Sequence, residues 1–204
     1  MRTGGAAEYL LAMTRKHPMR IDRHLLLGLL ATFLCSALPA LGSDVAQGTP
    51  VSCLDKSKLS SKLNPFDLWK SIASCISSEQ YDEAVFIYAM TGAFGRFDTL
   101  RVADKSAHQA TKVLPMLTFG TLQKDKVAAF QARVQQTLGN DSIRATYCTE
   151  IESFGPPDYF PSYMLQHGLG AISGANDSQP FVVPFDPKSA WPQAVKEYLQ
   201  CPRA

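Results

Sequence analysis

NPFDLWKSIASCISSEQYDEAVFIYAMTGAFGRFDTLRVAD, residues 64–104, is the stretch on which the fold turns. Asn64 followed by Pro65 marks a helix start, because an Asn side chain accepts from free backbone N–H groups and a proline at the first helical position has no N–H to lose. Phe66, Trp69, Ile72, Ala73 and Ile76 follow at helical spacing and gather on one face of a helix reaching about Ser78. A second helix is expected from Gln80 to about Ala93, carrying Ala84, Val85, Ile87, Tyr88 and Met90, with Gly95-Arg96-Phe97-Asp98 as the turn after it.

Glu79 to Asp104 resembles one tetratricopeptide-type helix pair, with YDEAVFIY on one helix. The resemblance implies a solenoid, yet no second copy follows at the period of about 34 residues, and such repeats bury a core only against stacked neighbours. A single helical hairpin is the expectation. Downstream, helices are expected from Thr99 to Leu114, ended by Pro115, and from Gln123 to Leu138, ended by Gly139-Asn140. In the latter, Val127, Phe130, Val134 and Leu138 form the apolar face. Another helix begins near Asp141-Ser142, carries Ile143, Tyr147, Cys148 and Ile151, and stops at Gly155-Pro156-Pro157. A short helix is expected from Pro161 to His167, a polar loop from Ser173 to Gln179, an extended piece from Phe181 to Phe185, and a closing helix from Lys188 to Gln200. The sum is an all-α domain over residues 64–204, a compact bundle of five to seven helices.

Upstream, residues 43–63 are rich in Ser, Lys, Gly and Pro and read as an extended arm pinned at Cys53. Before them, Arg20 and Arg23 form a positive region, Leu25 to Leu34 an apolar core, and Ala40-Leu41-Gly42 places small residues where a signal peptidase reads. Residues 19–42 therefore have the layout of an export signal cleaved before Ser43. The apolar run is broken by Pro39 and is short of the roughly 20 residues a bilayer span needs, so no stable membrane anchor is expected after cleavage. A signal normally begins at its methionine; Met19 is accordingly the expected start and residues 1–18 an upstream extension of it. Cys35 lacks a small residue directly before it, which argues against lipidation.

Cleavage removes Cys35 and leaves Cys53, Cys75, Cys148 and Cys201, an even set that in an exported chain reads as two disulfides. Four cysteines allow three pairings. Cys53 with Cys75 and Cys148 with Cys201 are preferred, since the first joins the arm to its nearest helix and the second ties down the C-terminal end. No C-x-x-C pair occurs, and His108 and His167 lie far apart in sequence, so neither a metal site nor a cofactor is expected.

The chain has 204 residues, 46% hydrophobic and 19% charged, in the range of folded globular proteins. Its net charge is +2, but the leader carries +3 (Arg2, Arg15, Lys16, Arg20 and Arg23 against Glu8 and Asp22), which leaves −1 for the rest. With basic residues scattered, nucleic-acid binding is not expected. No G-x-S-x-G elbow accompanies the two histidines, and Gly92-Ala93-Phe94-Gly95 follows a helix rather than a strand, so nucleophilic and phosphate-cradling chemistry lack a frame. Glu150 and Glu152, two apart on a helix, point in different directions; either could pair with Asp158 as the acid and base of a cell-wall hydrolase.

The least ordinary segment is GPPDYFPSYMLQHGLGAISG, residues 155–174. Asp158, Tyr159, Phe160 and Tyr163 combine charge with rigid aromatic surface in a proline-bounded stretch, and such aromatics are enriched among binding hot spots. His167, between Gln166 and Gly168, completes the candidate set as a ligand or as a helix-end residue. Export signal, disulfide-tied helical domain and no catalytic set together make a profile similar in type to the periplasmic immunity proteins of contact-dependent antibacterial systems. That similarity implies a protein partner of the kind such systems pair with an immunity protein, the toxin of a neighbouring gene. A peptidoglycan hydrolase and an accessory envelope protein are the other readings.

Overall fold

In the computed structural model, which describes residues 52–174 and 179–202, eight α-helices account for most of the described residues, among which no strand occurs. They are α1 (Pro65–Ser77), α2 (Tyr81–Arg101), α3 (Ala110–Gly120), α4 (Lys124–Leu138), α5 (Asp141–Ser153), α6 (Ser162–Leu165), α7 (Leu169–Ser173) and α8 (Pro187–Leu199). Six are long and two, α6 and α7, are single turns. The leader, residues 43–51 of the arm and most of the 173–179 loop lie outside the described residues.

The molecule is organised around α2, which is packed by α1, α3, α4, α5 and α8. A helix that is apolar on all sides has to be enclosed, and α2 buries Ala84, Val85, Phe86, Ile87, Ala89, Met90, Ala93, Phe94 and Phe97 around its circumference. The other long helices present stripes to it: Leu68, Trp69, Ile72, Cys75 and Ile76 from α1, Phe130 from α4, Ile151 from α5, and Trp191, Ala194, Val195 and Leu199 from α8. Edge-on ring contacts join these surfaces, among them Trp69 with Tyr88 at 5.8 Å and Phe97 with Trp191 at 6.1 Å.

Several boundaries follow the local chemistry. The Asn64 side chain accepts from Asp67 N at 3.1 Å with Pro65 at the first position, as the sequence predicts. Asn140 accepts from Ser142 N and Ile143 N, and Asp186 from Lys188 N ahead of Pro187. Asn140 thus starts α5 rather than closing α4, and Gly139 keeps a right-handed helical backbone.

Four sequence expectations change. The helix expected to stop at Ala93 continues to Arg101, so Gly95-Arg96-Phe97-Asp98 is helical rather than a turn. The glycines there are spacers: a Cβ on Gly92 would lie 1.8 Å from the Tyr198 ring of α8, and one on Gly95 would be 3.4 Å from Thr111. The chain therefore breaks at Val102 to Ser106 instead of near Thr99, and α3 starts only at Ala110 after a 3-10 turn, Ala107–Gln109. Pro115 does not end α3. It deletes one amide donor, but Leu114 before it and Phe119 after it both pack on the core, and that packing carries the helix through. On α1, Phe66 is exposed and its place on the buried face is taken by Leu68.

Both disulfides are formed in the preferred pairing, Cys53–Cys75 and Cys148–Cys201, with Cα separations of 4.5 and 6.0 Å. The first fastens the arm, which also lays Leu59 into the core and hydrogen-bonds Leu54 N to Ser71 Oγ at 2.9 Å. Disulfides form and persist in oxidising compartments, so the fold is suited to the periplasm or the extracellular space. No helix among the described residues is long and apolar enough to cross a membrane.

Candidate functional site

Around the break after α2, a buried polar cluster anchors the unusual 155–174 segment. Asp98, in the last turn of α2, is fully buried. Arg101, one turn on, donates from Nε to Asp98 Oδ1 at 2.7 Å and holds Nη2 at 2.7 Å from the same oxygen. The Tyr159 and Tyr163 hydroxyls donate to Asp98 Oδ2 at 2.8 and 2.7 Å. Arg101 also donates to the Tyr159 carbonyl at 2.9 Å and lies over the Tyr159 ring at 5.0 Å. Helical spacing puts acid and guanidinium on one face, while the loop supplies Tyr159 and α6 supplies Tyr163.

The electrostatics follow from burial. Desolvation raises the Asp98 carboxyl above its ordinary value, opposed by the Arg101 charge and by the two phenols. Burial first, and the Asp98 charge second, push both phenols well up, which keeps them protonated and donating. Arg101 Nε and both phenol hydroxyls are aimed at the Asp98 carboxylate oxygens, the arrangement that suits the ionised acid.

A second set of ties holds the next turn of chain. Asp104 Oδ1 accepts from Ser106 N, and Ser106 Oγ accepts from Leu169 N at 2.7 Å, while Asp104 Oδ2 accepts from Gly170 N at 2.7 Å. These bonds cap the start of α7 and depress the Asp104 carboxyl, the Ser106 hydroxyl contributing most. Gly168 makes the approach possible with φ +83°, and a Cβ there would fall 2.5 Å from Ala107 N. Across the same break Val102 bridges Phe181 in antiparallel fashion, with Val182 N bonded to Arg101 O and Ala103 N to Pro180 O.

Two segments, 159–170 and 180–182, are thus fastened to residues 98–106, and apolar side chains on and directly after them face outward. Ile172 is 85% exposed, Val183 74%, Leu169 71% and Phe160 61%, with Val182 also exposed. The Phe160 ring meets Phe181 edge-on at 5.8 Å. Large apolar side chains left facing solvent commonly mark an interaction site where they form a contiguous patch.

The structure divides the five residues the sequence singles out. Asp158, Phe160 and His167 are exposed, whereas Tyr163 is buried and Tyr159 half-buried, both with hydroxyls turned inward to Asp98. Sequence reasoning missed Asp98, Arg101 and the outward Leu169, Ile172, Val182 and Val183. Asp98 with Arg101 at i, i+3 was a readable pair, but it was hidden in an expected turn. The three carboxylates considered for hydrolysis have separate settings: Glu150 is ion-paired with Lys56, Glu152 lines a surface cleft beside Cys148 and Cys201, and Asp158 stands where its amide bonds Ser61 O at 2.8 Å. His108 Nε2 lies 3.0 Å from Val102 O within the break. Among the described residues no group of three or more His, Cys, Asp or Glu side chains is placed to hold a metal. Compared with protein families, curated proteins and solved structures, the chain matches none.

Proposed function

We propose that this is an exported helical binding protein that works in the periplasm after signal cleavage near Gly42, and most specifically an immunity protein that binds and neutralises an antibacterial toxin. The observation that carries the reading is the outward apolar set Phe160, Leu169, Ile172, Val182 and Val183, on or beside segments anchored near the end of α2, 159–170 through Asp98 and Asp104 and 180–182 through backbone bonds to Arg101 and Ala103. Anchoring matters because a surface that need not order on binding loses less conformational entropy to its partner. The disulfides support the compartment.

The test is co-expression of the chain with the enzyme encoded beside its gene, followed by size-exclusion chromatography and a survival assay. A stoichiometric complex and protected cells are expected, and Ile172→Asp with Val183→Asp should abolish both while leaving the unfolding free energy within about 0.5 kcal/mol of the parent for each substitution, since both sites are solvent-facing. Cells that die alike with and without the chain would end this reading.

A further inference from the structure

Between α5 and α8 lies a surface cleft of about 380 Å³, lined by Thr149, Glu152, Pro192 and Lys196, and the Cys148–Cys201 disulfide forms part of its wall. The Cys53–Cys75 disulfide, by contrast, ends on a fully buried Cys75. Cys201 is half-buried and follows Gln200, the left-handed residue that closes α8. The turn is held by Cys201 N to Lys196 O at 3.4 Å, Arg144 Nε to Gln200 O at 3.2 Å, Gln200 Nε2 to Glu197 O at 2.6 Å and the Gln200 N–H to Lys196 O. Residues at a chain end open more readily than packed helices, and Trp191, Ala194, Val195 and Leu199 hold α8 in the core.

The charges of the cleft are also unspent. Glu152 and Lys196 line it together, yet neither side chain enters a hydrogen bond or ion pair among the described residues; the contacts of Glu152 and Lys196 run through their backbone carbonyls. One carboxylate and one ammonium, held apart in the same cleft, complement a small molecule that carries both charges itself.

We propose that this cleft is a thiol-exchange site, in which a small thiol bearing an ammonium and a carboxylate seats between Glu152 and Lys196 and exchanges with the Cys148–Cys201 disulfide at Cys201. The ammonium faces Glu152 and the carboxylate Lys196. The incoming thiolate attacks Cys201 Sγ, the more accessible sulfur, in line with the S–S bond. That bond breaks, a mixed disulfide forms on Cys201, and the electron pair leaves on the Cys148 sulfur, which takes a proton from water. A second thiolate attacking the mixed disulfide releases Cys201, which is protonated in turn, and carries away the oxidised dimer of the small thiol. The two electrons come from the two small thiols. This site is separate from the apolar face and does not depend on the partner proposed for it.

The experiment treats the oxidised chain with L-cysteine, quenches in acid, unfolds and alkylates, and maps the adducts by peptide mass. Expected are cysteinylation of Cys201, an alkylated Cys148 and an intact Cys53–Cys75 bond. The rate with L-cysteine relative to that with uncharged 2-mercaptoethanol should fall about two- to fivefold in Lys196→Met and in Glu152→Gln, the span of an exposed charge contact. Circular dichroism of both variants should match the parent. Opening of Cys53–Cys75 first or in parallel, an adduct on Cys148, no adduct at all, or an unchanged rate ratio in both variants would overturn the proposal.

Discussion

Asp98→Asn is the most informative perturbation of this fold. The substitution keeps the side-chain shape but removes the charge facing Arg101, whose side chain is only 12% exposed. Taking away one member of a buried ion pair costs about 3–5 kcal/mol. Arg101 retains the Tyr159 carbonyl at 2.9 Å and the rings of Phe97 and Tyr159 at 5.2 and 5.0 Å, which places the expected loss at the lower end, about 3 kcal/mol. For a domain of this size that corresponds to a fall in Tm of roughly 6–12 °C. Urea and thermal unfolding followed by far-UV circular dichroism at neutral pH measure it. A loss below about 1 kcal/mol would refute the reasoning, because it would mean that the folded protein holds the acid protonated and Arg101 never had a counter-charge. The pH dependence has a definite sign. Burial raises the folded Asp98 above its unfolded value near 3.8, so the folded state binds this proton more tightly, and stability from this group falls as pH rises from about 3.8 through the folded value. Asp98→Asn should lack that slope.

Tyr163→Phe removes one hydrogen bond to the same carboxylate, and unfolding should show a loss of about 1.5–3 kcal/mol with secondary structure unchanged. Gly92→Ala forces a methyl into the Tyr198 ring of α8 and should cost about 1–3 kcal/mol; Tyr198→Ala in the same chain should then make the added Gly92→Ala nearly neutral, a coupling that a double-mutant cycle reads directly. Asp104 behaves oppositely to Asp98: its folded value is depressed, so its stabilising effect is present above the unfolded value near 3.8 and is lost as pH falls below it. Amide exchange of Leu169 and Gly170 should therefore accelerate, relative to core amides, as the solution is acidified through that range. Gly168→Ala should release the same amides at neutral pH, because the backbone there is left-handed and the added carbon meets Ala107.

The 64–104 stretch settled the fold class, and it did so with local rules: Asn64 and Pro65 cap a helix by their own chemistry, and apolar spacing tells which faces are buried. The disulfide pairing also followed from chain order, the arm to its nearest helix and the end of the chain to α5. Tertiary structure decided the rest, because the deciding contacts are distant in sequence. Gly92 and Gly95 look like turn residues until α8 and Thr111 are seen to fill the space a side chain would take. Tyr159 and Tyr163 look like a surface until their hydroxyls find a carboxylate more than 60 positions earlier, at 2.8 and 2.7 Å. A buried acid needs partners and takes them from wherever the chain returns, and that requirement turned two aromatic rings inward and left Leu169, Ile172 and Val183 to face the solvent.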